Sequence, residues 1–93
     1  MEFQQLRHFI AVAEHGSFSN AAANLSVPQP KLSRCIRALE DELGTPLFER
    51  LPRGMRLTAA GELFVQYIRS RAAHLVAGLG KALEDGAELP LGP

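Results

Sequence analysis

Apolar residues recur along most of this chain at helical spacing, and the rows break where glycine and proline fall. Phe3, Leu6, Ile10 and Ala13 stand on one helical row with Phe9 and Val12 flanking it, which predicts an amphipathic helix over residues 3 to 15. Gly16 follows as its left-handed cap, and Ser17 can cap a second, short helix through its hydroxyl. That helix carries Phe18, Ala21, Ala22 and Leu25 on one face, and its run of alanines permits close packing against a neighbour. Leu32, Ile36, Leu39 and Leu43 make a third row, predicting a helix from Gln29 to Leu43 that Gly44 ends ahead of Pro46. Pro30 is tolerated in its first turn, where the missing N–H has no helical acceptor to lose.

The pattern then changes. Leu47 to Leu51 and Met55 to Leu57 are short runs on either side of Pro52-Arg53-Gly54, as a small hairpin requires, and Thr58 can cap a fourth helix. In that helix Phe64, Ile68, Ala72, Leu75, Leu79 and Ala82 advance by steps of four and three, and Tyr67 is expected on the same packing face. Gly78 and Gly80 weaken the last third by up to about 1 kcal/mol each relative to alanine. A stripe this long has too little protein around it to cover it. Pairing with a second copy, in the manner of a coiled coil, is the simplest way to bury it, so the Phe64 to Ala82 stripe is the expected dimer interface.

Three short helices, a hairpin and a long helix are the element order of a winged helix-turn-helix, a mainly α fold whose diagnostic part is the tight join between the second and third helices. Between Leu25 and Leu32 the chain must turn and re-enter a helix at once. Ser26 is small, Val27 can plug the angle, Pro28 and Pro30 end and restart helicity, and Ala22 stands where the helices should cross closest. At about 100° per residue, the face of the third helix opposite its leucine row carries Pro30, Arg34, Arg37 and Asp41, flanked by Lys31 and Ser33. Gln29 can read adenine through two hydrogen bonds, Arg34 or Lys31 can read guanine O6 and N7, and Ser33 can serve a base or a phosphate. The acidic end, Glu40-Asp41-Glu42, would be repelled by phosphate, so it should point away and the helix should enter the major groove by its N-terminus.

Ten Lys and Arg balance ten Asp and Glu, so no global basic excess marks a nucleic-acid binder. The footprint is local instead. Between Ser26 and Thr58 the bases are Lys31, Arg34, Arg37, Arg50, Arg53 and Arg56, whereas the acids cluster at the far end of the third helix except for Glu49. Arg50, Arg53 and Arg56 sit on or beside the hairpin, where a wing can set guanidinium groups over phosphates or into a narrow minor groove. Arg37 suits a phosphate or the surface better than a base, and Arg56 can alternatively pair with Glu49 across the hairpin.

At 93 residues the chain is expected to form one domain with an appended helix. A single cysteine excludes an internal disulfide, and Cys35, beside the inward row, should behave as a small apolar residue. His8, His15 and His74 share no ligand spacing with each other or with Cys35, so no metal is expected and the imidazoles are read as surface or partly packed. Ser33 lacks His and carboxylate partners and no glycine-rich phosphate loop follows a strand, which argues against an enzyme. Neither an export signal nor a membrane-spanning run is visible at the start, so a cytoplasmic location is expected. The function that fits is sequence-specific binding of double-stranded DNA by a dimer on an interrupted inverted repeat, because a two-fold protein reads two related half-sites. The competing reading is a helical interaction module whose head binds a protein surface.

The residues themselves resemble a family. Phe9-Ile10-Ala11-Val12-Ala13-Glu14, Gly16-Ser17-Phe18, Ala21-Ala22, Gln29-Pro30, Leu32-Ser33-Arg34, Leu39-Glu40, Leu43-Gly44, Leu47-Phe48-Glu49-Arg50 and Leu57-Thr58-Ala59-Ala60-Gly61 are similar to the LysR-type transcriptional regulators over nearly the whole chain. The resemblance implies a winged helix-turn-helix DNA-binding domain over residues 1–58, a linker helix over 59–85 that dimerises, and a hinge over 86–93. It further implies tetramers in the full-length protein and a C-terminal effector-binding domain, absent here, that would take a small-molecule inducer. On that view the chain is a fragment ending at the hinge, which Gly86-Ala87-Glu88-Leu89 with Gly92 resembles, and it needs no cofactor of its own. The family's DNA contacts map onto Gln29, Pro30, Lys31, Ser33 and Arg34 in the recognition helix, Ser17 and Asn20 near phosphate, and Arg50 and Arg53 in the wing. Two positions depart from the pattern. Pro28 stands where members often have a serine, which removes a helix cap of about 1 kcal/mol, and Cys35 replaces a frequent glutamine.

Overall fold

A computed structural model describes residues 1–86, with the side chains at 75, 76, 80 and 83 outside the description. The elements run α1 (Phe3–His15), α2 (Phe18–Leu25), α3 (Gln29–Leu43), β1 (Phe48–Arg50), β2 (Met55–Leu57) and α4 (Ala59–Glu84). This is a mainly α winged helix-turn-helix followed by a long helix. Of the expected hinge, residues 87–93 lie outside the described residues.

The helix ends follow local chemistry. Gly16 (φ 64°) and Gly44 (φ 74°) close α1 and α3 in the left-handed conformation. The Ser17 hydroxyl accepts the Asn20 N–H at 3.2 Å at the start of α2. At the start of α1 the Gln5 side chain accepts the Glu2 N–H at 2.9 Å, a cap that the apolar pattern did not reveal. The turn between α2 and α3 is made without glycine: Ser26 itself takes a left-handed conformation (φ 57°), and the Val27 N–H reaches back to the Ala22 carbonyl at 3.0 Å. Val27 is half-buried against the core, as a plug for the angle requires.

The three short helices pack on one another around Phe9, Val12, Leu32, Ile36 and Leu39, and Leu47 from the segment before β1 joins them. Four phenylalanines run through this core as a chain of tilted and edge-on rings. Phe18 meets Phe48 at 5.7 Å, Phe48 meets Phe9 at 5.2 Å, and Phe9 meets Phe64 at 5.1 Å, so α2, the wing, α1 and α4 share one aromatic spine.

Here the expected face of α1 needs correction. Phe9 and Val12 are fully buried, whereas Phe3 is 80% exposed and Leu6, Ile10 and Ala13 are only half-buried. The reason is that α1 is covered from two sides, by α2 and α3 on one and by Leu57 and Val65 beside Ile10 and Ala13 on the other, so the flank shared by both contacts lies deepest. His8 is corrected with it. Its imidazole is buried at 4% exposure, with Nδ1 3.2 Å from Cys35 Sγ on α3.

The wing is a two-stranded antiparallel hairpin in the register Phe48↔Leu57, Glu49↔Arg56 and Arg50↔Met55. Glu40 ties it to α3. Read in sequence as part of an outward acidic end, Glu40 is half-buried, and its carboxylate accepts the N–H groups of Leu47 at 2.6 Å and Phe48 at 3.3 Å. Only Asp41 and Glu42 remain at the exposed end. Thr58 clamps the other side: its hydroxyl donates to the Pro46 carbonyl at 2.7 Å and accepts the Gly61 N–H at 3.0 Å. Gly61 is where α4 passes over the strand, since a Cβ there would strike the Leu47 carbonyl oxygen and crowd Leu57.

The stripe assigned to α4 divides in two. Phe64 and Ile68 pack against the chain's own core beside Val65, so the first part of the stripe already has a cover. Beyond it Ala72 is exposed, Leu79 is 40% exposed and Ala82 is half-buried, while the Leu75 side chain lies outside the described residues. The large apolar groups left open near the head are Leu63 (67%), which the sequence reading did not place on the packing face of α4, and Tyr67 (55%), which it did. Tyr67 stacks parallel on Phe64 at 6.3 Å, and the Arg71 guanidinium lies 5.8 Å from its ring.

Candidate nucleic-acid interface

The N-terminal turns of α2 and α3 meet the wing around an open cleft of about 240 Å³, lined by Ser17, Phe18, Ser19, Gln29, Arg50, Leu51, Gly54 and Met55. Three expected site residues, Ser17, Gln29 and Arg50, therefore share one hollow although they are far apart in sequence. Along the outer face of α3, Pro30, Lys31 and Arg34 are exposed and Ser33 is half-buried beside them. Asn20 is exposed on the first turn of α2, and Arg53 is exposed in the turn of the wing, which Leu51 N–H closes onto Gly54 carbonyl at 3.1 Å. Pro28 offers α3 no side-chain cap.

Two arginines stand apart from this group. Arg56 is held at 2.8 Å by the Glu49 carboxylate directly across the hairpin, and that hydrogen bond and charge push its guanidinium pKa further up. Arg37 borders a separate hollow of about 530 Å³ with Glu40, Asp41, Gly44, Thr45 and Pro46, at the distal end of α3. Among the described residues the ion pairs are Arg56 with Glu49 and the Met1 amino group with Glu42, which leaves Lys31, Arg34, Arg50 and Arg53 without a carboxylate partner. A row of unpaired cations beside exposed hydrogen-bonding side chains is the arrangement that a polyanion with a readable edge calls for.

Two supporting contacts escaped the sequence reading. The Phe18 ring, one end of the aromatic spine, also carries the Arg50 guanidinium 4.6 Å from its centroid, an attraction of about 0.5–1 kcal/mol at an exposed site. The Ser19 hydroxyl donates to Gln29 Oε1 at 2.9 Å. Neither has a signature in periodicity, because each joins residues on different elements and exists only once the helices cross. Among the described residues no group of three or more His, Cys, Asp or Glu is placed to hold a metal ion, and no helix is long and apolar enough to cross a membrane.

Residues 3–62, which contain the cleft and the whole helix-turn-helix, match the model of the bacterial regulatory helix-turn-helix proteins of the lysR family. The chain belongs to that family. Among curated LysR-family proteins it is 55% identical over 69 residues to the HTH-type transcriptional regulator ClcR of Pseudomonas putida, covering 74% of this chain and 24% of ClcR. It is 49% identical over 73 residues to the HTH-type transcriptional regulator TfdT of Cupriavidus pinatubonensis, covering 78% of this chain and 32% of TfdT. The chain thus spans about a quarter to a third of the length of these relatives. Among solved structures it is similar to the DNA complex of the CbnR DBD (TM-score 0.76, 45% identity, covering 95% of this chain and all of that one). It is also similar to the BenM DBD bound to catB site 1 DNA (TM-score 0.77, 37% identity, 96% of this chain and all of that one). These relatives are transcription regulators, and the chain is a LysR-family DNA-binding domain rather than an enzyme.

Proposed function

We propose that this LysR-family domain binds promoter DNA sequence-specifically as a homodimer on an interrupted inverted repeat, with the N-terminus of α3 in the major groove and the wing on the minor groove and backbone. The observation that carries the reading is the exposed row of Gln29, Pro30, Lys31 and Arg34, adjoined by Ser33 and free of ion pairs among the described residues, next to a cleft that the wing arginine Arg50 lines. Those residues read base edges. Ser17, Asn20, Arg50 and Arg53 hold phosphate or the minor groove, and Arg37 and Arg56 extend that hold at the periphery, Arg56 in competition with Glu49. The similar CbnR and BenM domains, crystallised with DNA, support DNA as the partner.

The reading that a second copy docks on α4 is supported by Leu63 and Tyr67, which expose apolar surface beside a shallow groove that Leu43 and Leu47 also line. A chain acting on promoters works in the compartment that holds the genome, the bacterial cytoplasm. In a longer regulator, assembly to a tetramer and response to a small-molecule inducer would be added by an effector domain.

Mutation separates reading from holding. A duplex selected by the native chain from a randomised pool serves as the probe. Arg34→Ala should relax preference at one base position at a cost of about 1–3 kcal/mol, whereas Arg53→Ala should weaken every sequence alike and reduce the salt slope by about one. An Arg34→Ala chain with unchanged affinity and preference would show that α3 does not read bases.

A further inference from the structure

The contact between Ser19 and Gln29 bears on which base Gln29 can read. Ser19 lies in the first turn of α2 and Gln29 opens α3, and the hydroxyl donates to Gln29 Oε1 at 2.9 Å in the cleft between them. A glutamine reads adenine by using both ends of its amide, Oε1 accepting from N6 and Nε2 donating to N7. Here the accepting end is turned back onto α2. One lone pair of Oε1 remains, but the tether holds that oxygen toward α2, and the end free to meet a base is the Nε2 amide, which only donates. Guanine, with O6 and N7, offers acceptors alone on its major-groove edge, whereas adenine sets its own N6 donor against that amide.

We infer that Ser19 is a specificity-determining positioning residue: by engaging one lone pair of Gln29 Oε1 and tethering that oxygen to α2, it leaves the Nε2 donor as the freer end of the amide and so biases Gln29 toward guanine over adenine at its base pair. The inference rests on the reading that Gln29 faces the major groove. Both side chains are exposed, and Ser19 makes no other side-chain hydrogen bond among the described residues, so its removal leaves the core untouched.

The test uses the whole chain and a duplex it selects from a randomised pool, with each base pair varied singly. Gln29→Ala first locates the pair whose preference depends on Gln29. At that pair Ser19→Ala, which frees Oε1, should shift the ratio of affinities for guanine and adenine toward adenine by about fivefold or more. The salt slope should stay unchanged, because no phosphate contact is removed. Ser19→Thr, which keeps the hydroxyl, should retain the native preference, and the Ser19→Ala/Gln29→Ala double variant should behave like Gln29→Ala alone. A Ser19→Ala chain that loses affinity equally for all sequences, or keeps the native ratio, overturns the inference while leaving Gln29 a base reader. A Gln29→Ala chain with unaltered preference at every pair overturns the major-groove reading of Gln29, and the inference with it.

Discussion

His8 and Cys35 meet between α1 and α3 as an uncharged pair. Burial, together with the positive charge of Arg7 and Lys31, lowers the imidazole pKa from its usual 6.5, and burial with the charge of Glu2 raises the thiol pKa. Both shifts favour the neutral forms that a part-buried 3.2 Å N···S contact tolerates. The sign of the linkage follows. A histidine whose folded pKa lies below its unfolded value contributes stability that is complete above pH 6.5 and is lost as pH falls toward the folded value, because the unfolded chain takes up the proton first. Urea unfolding should therefore show stability declining from about pH 7.5 to about pH 5, and His8→Leu should flatten part of that decline. An equal slope in the two proteins would mean that His8 is not the group responsible. The same neighbourhood holds Lys31, so a part-buried neutral pair lies beside the first turns of α3, the proposed reading segment, without adding charge to it.

At the scale of elements, the wing is positioned by bonds from both of its neighbours rather than by its own short ladder. Three residues per strand cannot stand alone in water. Glu40 grips the start of β1 from α3, Thr58 joins Pro46 to the first turn of α4, and Phe48 is set between Phe9 and Phe18. Gly61 permits the closest of these approaches. Alanine there would be favoured in an isolated helix by about 1 kcal/mol, yet its methyl would strike the Leu47 carbonyl, and backbone yields poorly. Gly61→Ala should destabilise the domain by about 1–3 kcal/mol in urea unfolding, with α4 pushed off the wing. A more stable variant would show that α4 can move aside at no cost. Because the wing carries Arg50 and Arg53, the same variant should also weaken DNA binding without altering base preference.

At the scale of the whole molecule, the head covers only the first turns of α4, and the proposed second copy would dock on what it leaves open. Leu63 and Tyr67 are the large apolar side chains exposed there, and in a monomer they stay in water. Tyr67→Asp should give monomers by sedimentation at concentrations where the native chain is paired, with half-site affinity kept and cooperative binding to the repeat lost. An unaltered dimer would move the interface further along α4. The helices themselves, their caps at Gly16, Ser17 and Gly44, the glycine turn of the wing and the exposed face from Pro30 to Arg37 were legible in the sequence, because each depends on residues within one or two turns of each other. Periodicity shows that a helix has an apolar side but not how many neighbours will share it. Only the packed structure could therefore rotate the buried face of α1 onto Phe9 and Val12, bury His8 against Cys35, draw Glu40 inward, claim Phe64 and Ile68 for the core, and bring Ser19 to Gln29 and Phe18 to Arg50. Those outcomes depend on which elements cross where, and that is settled by filling one core with side chains from every element at once.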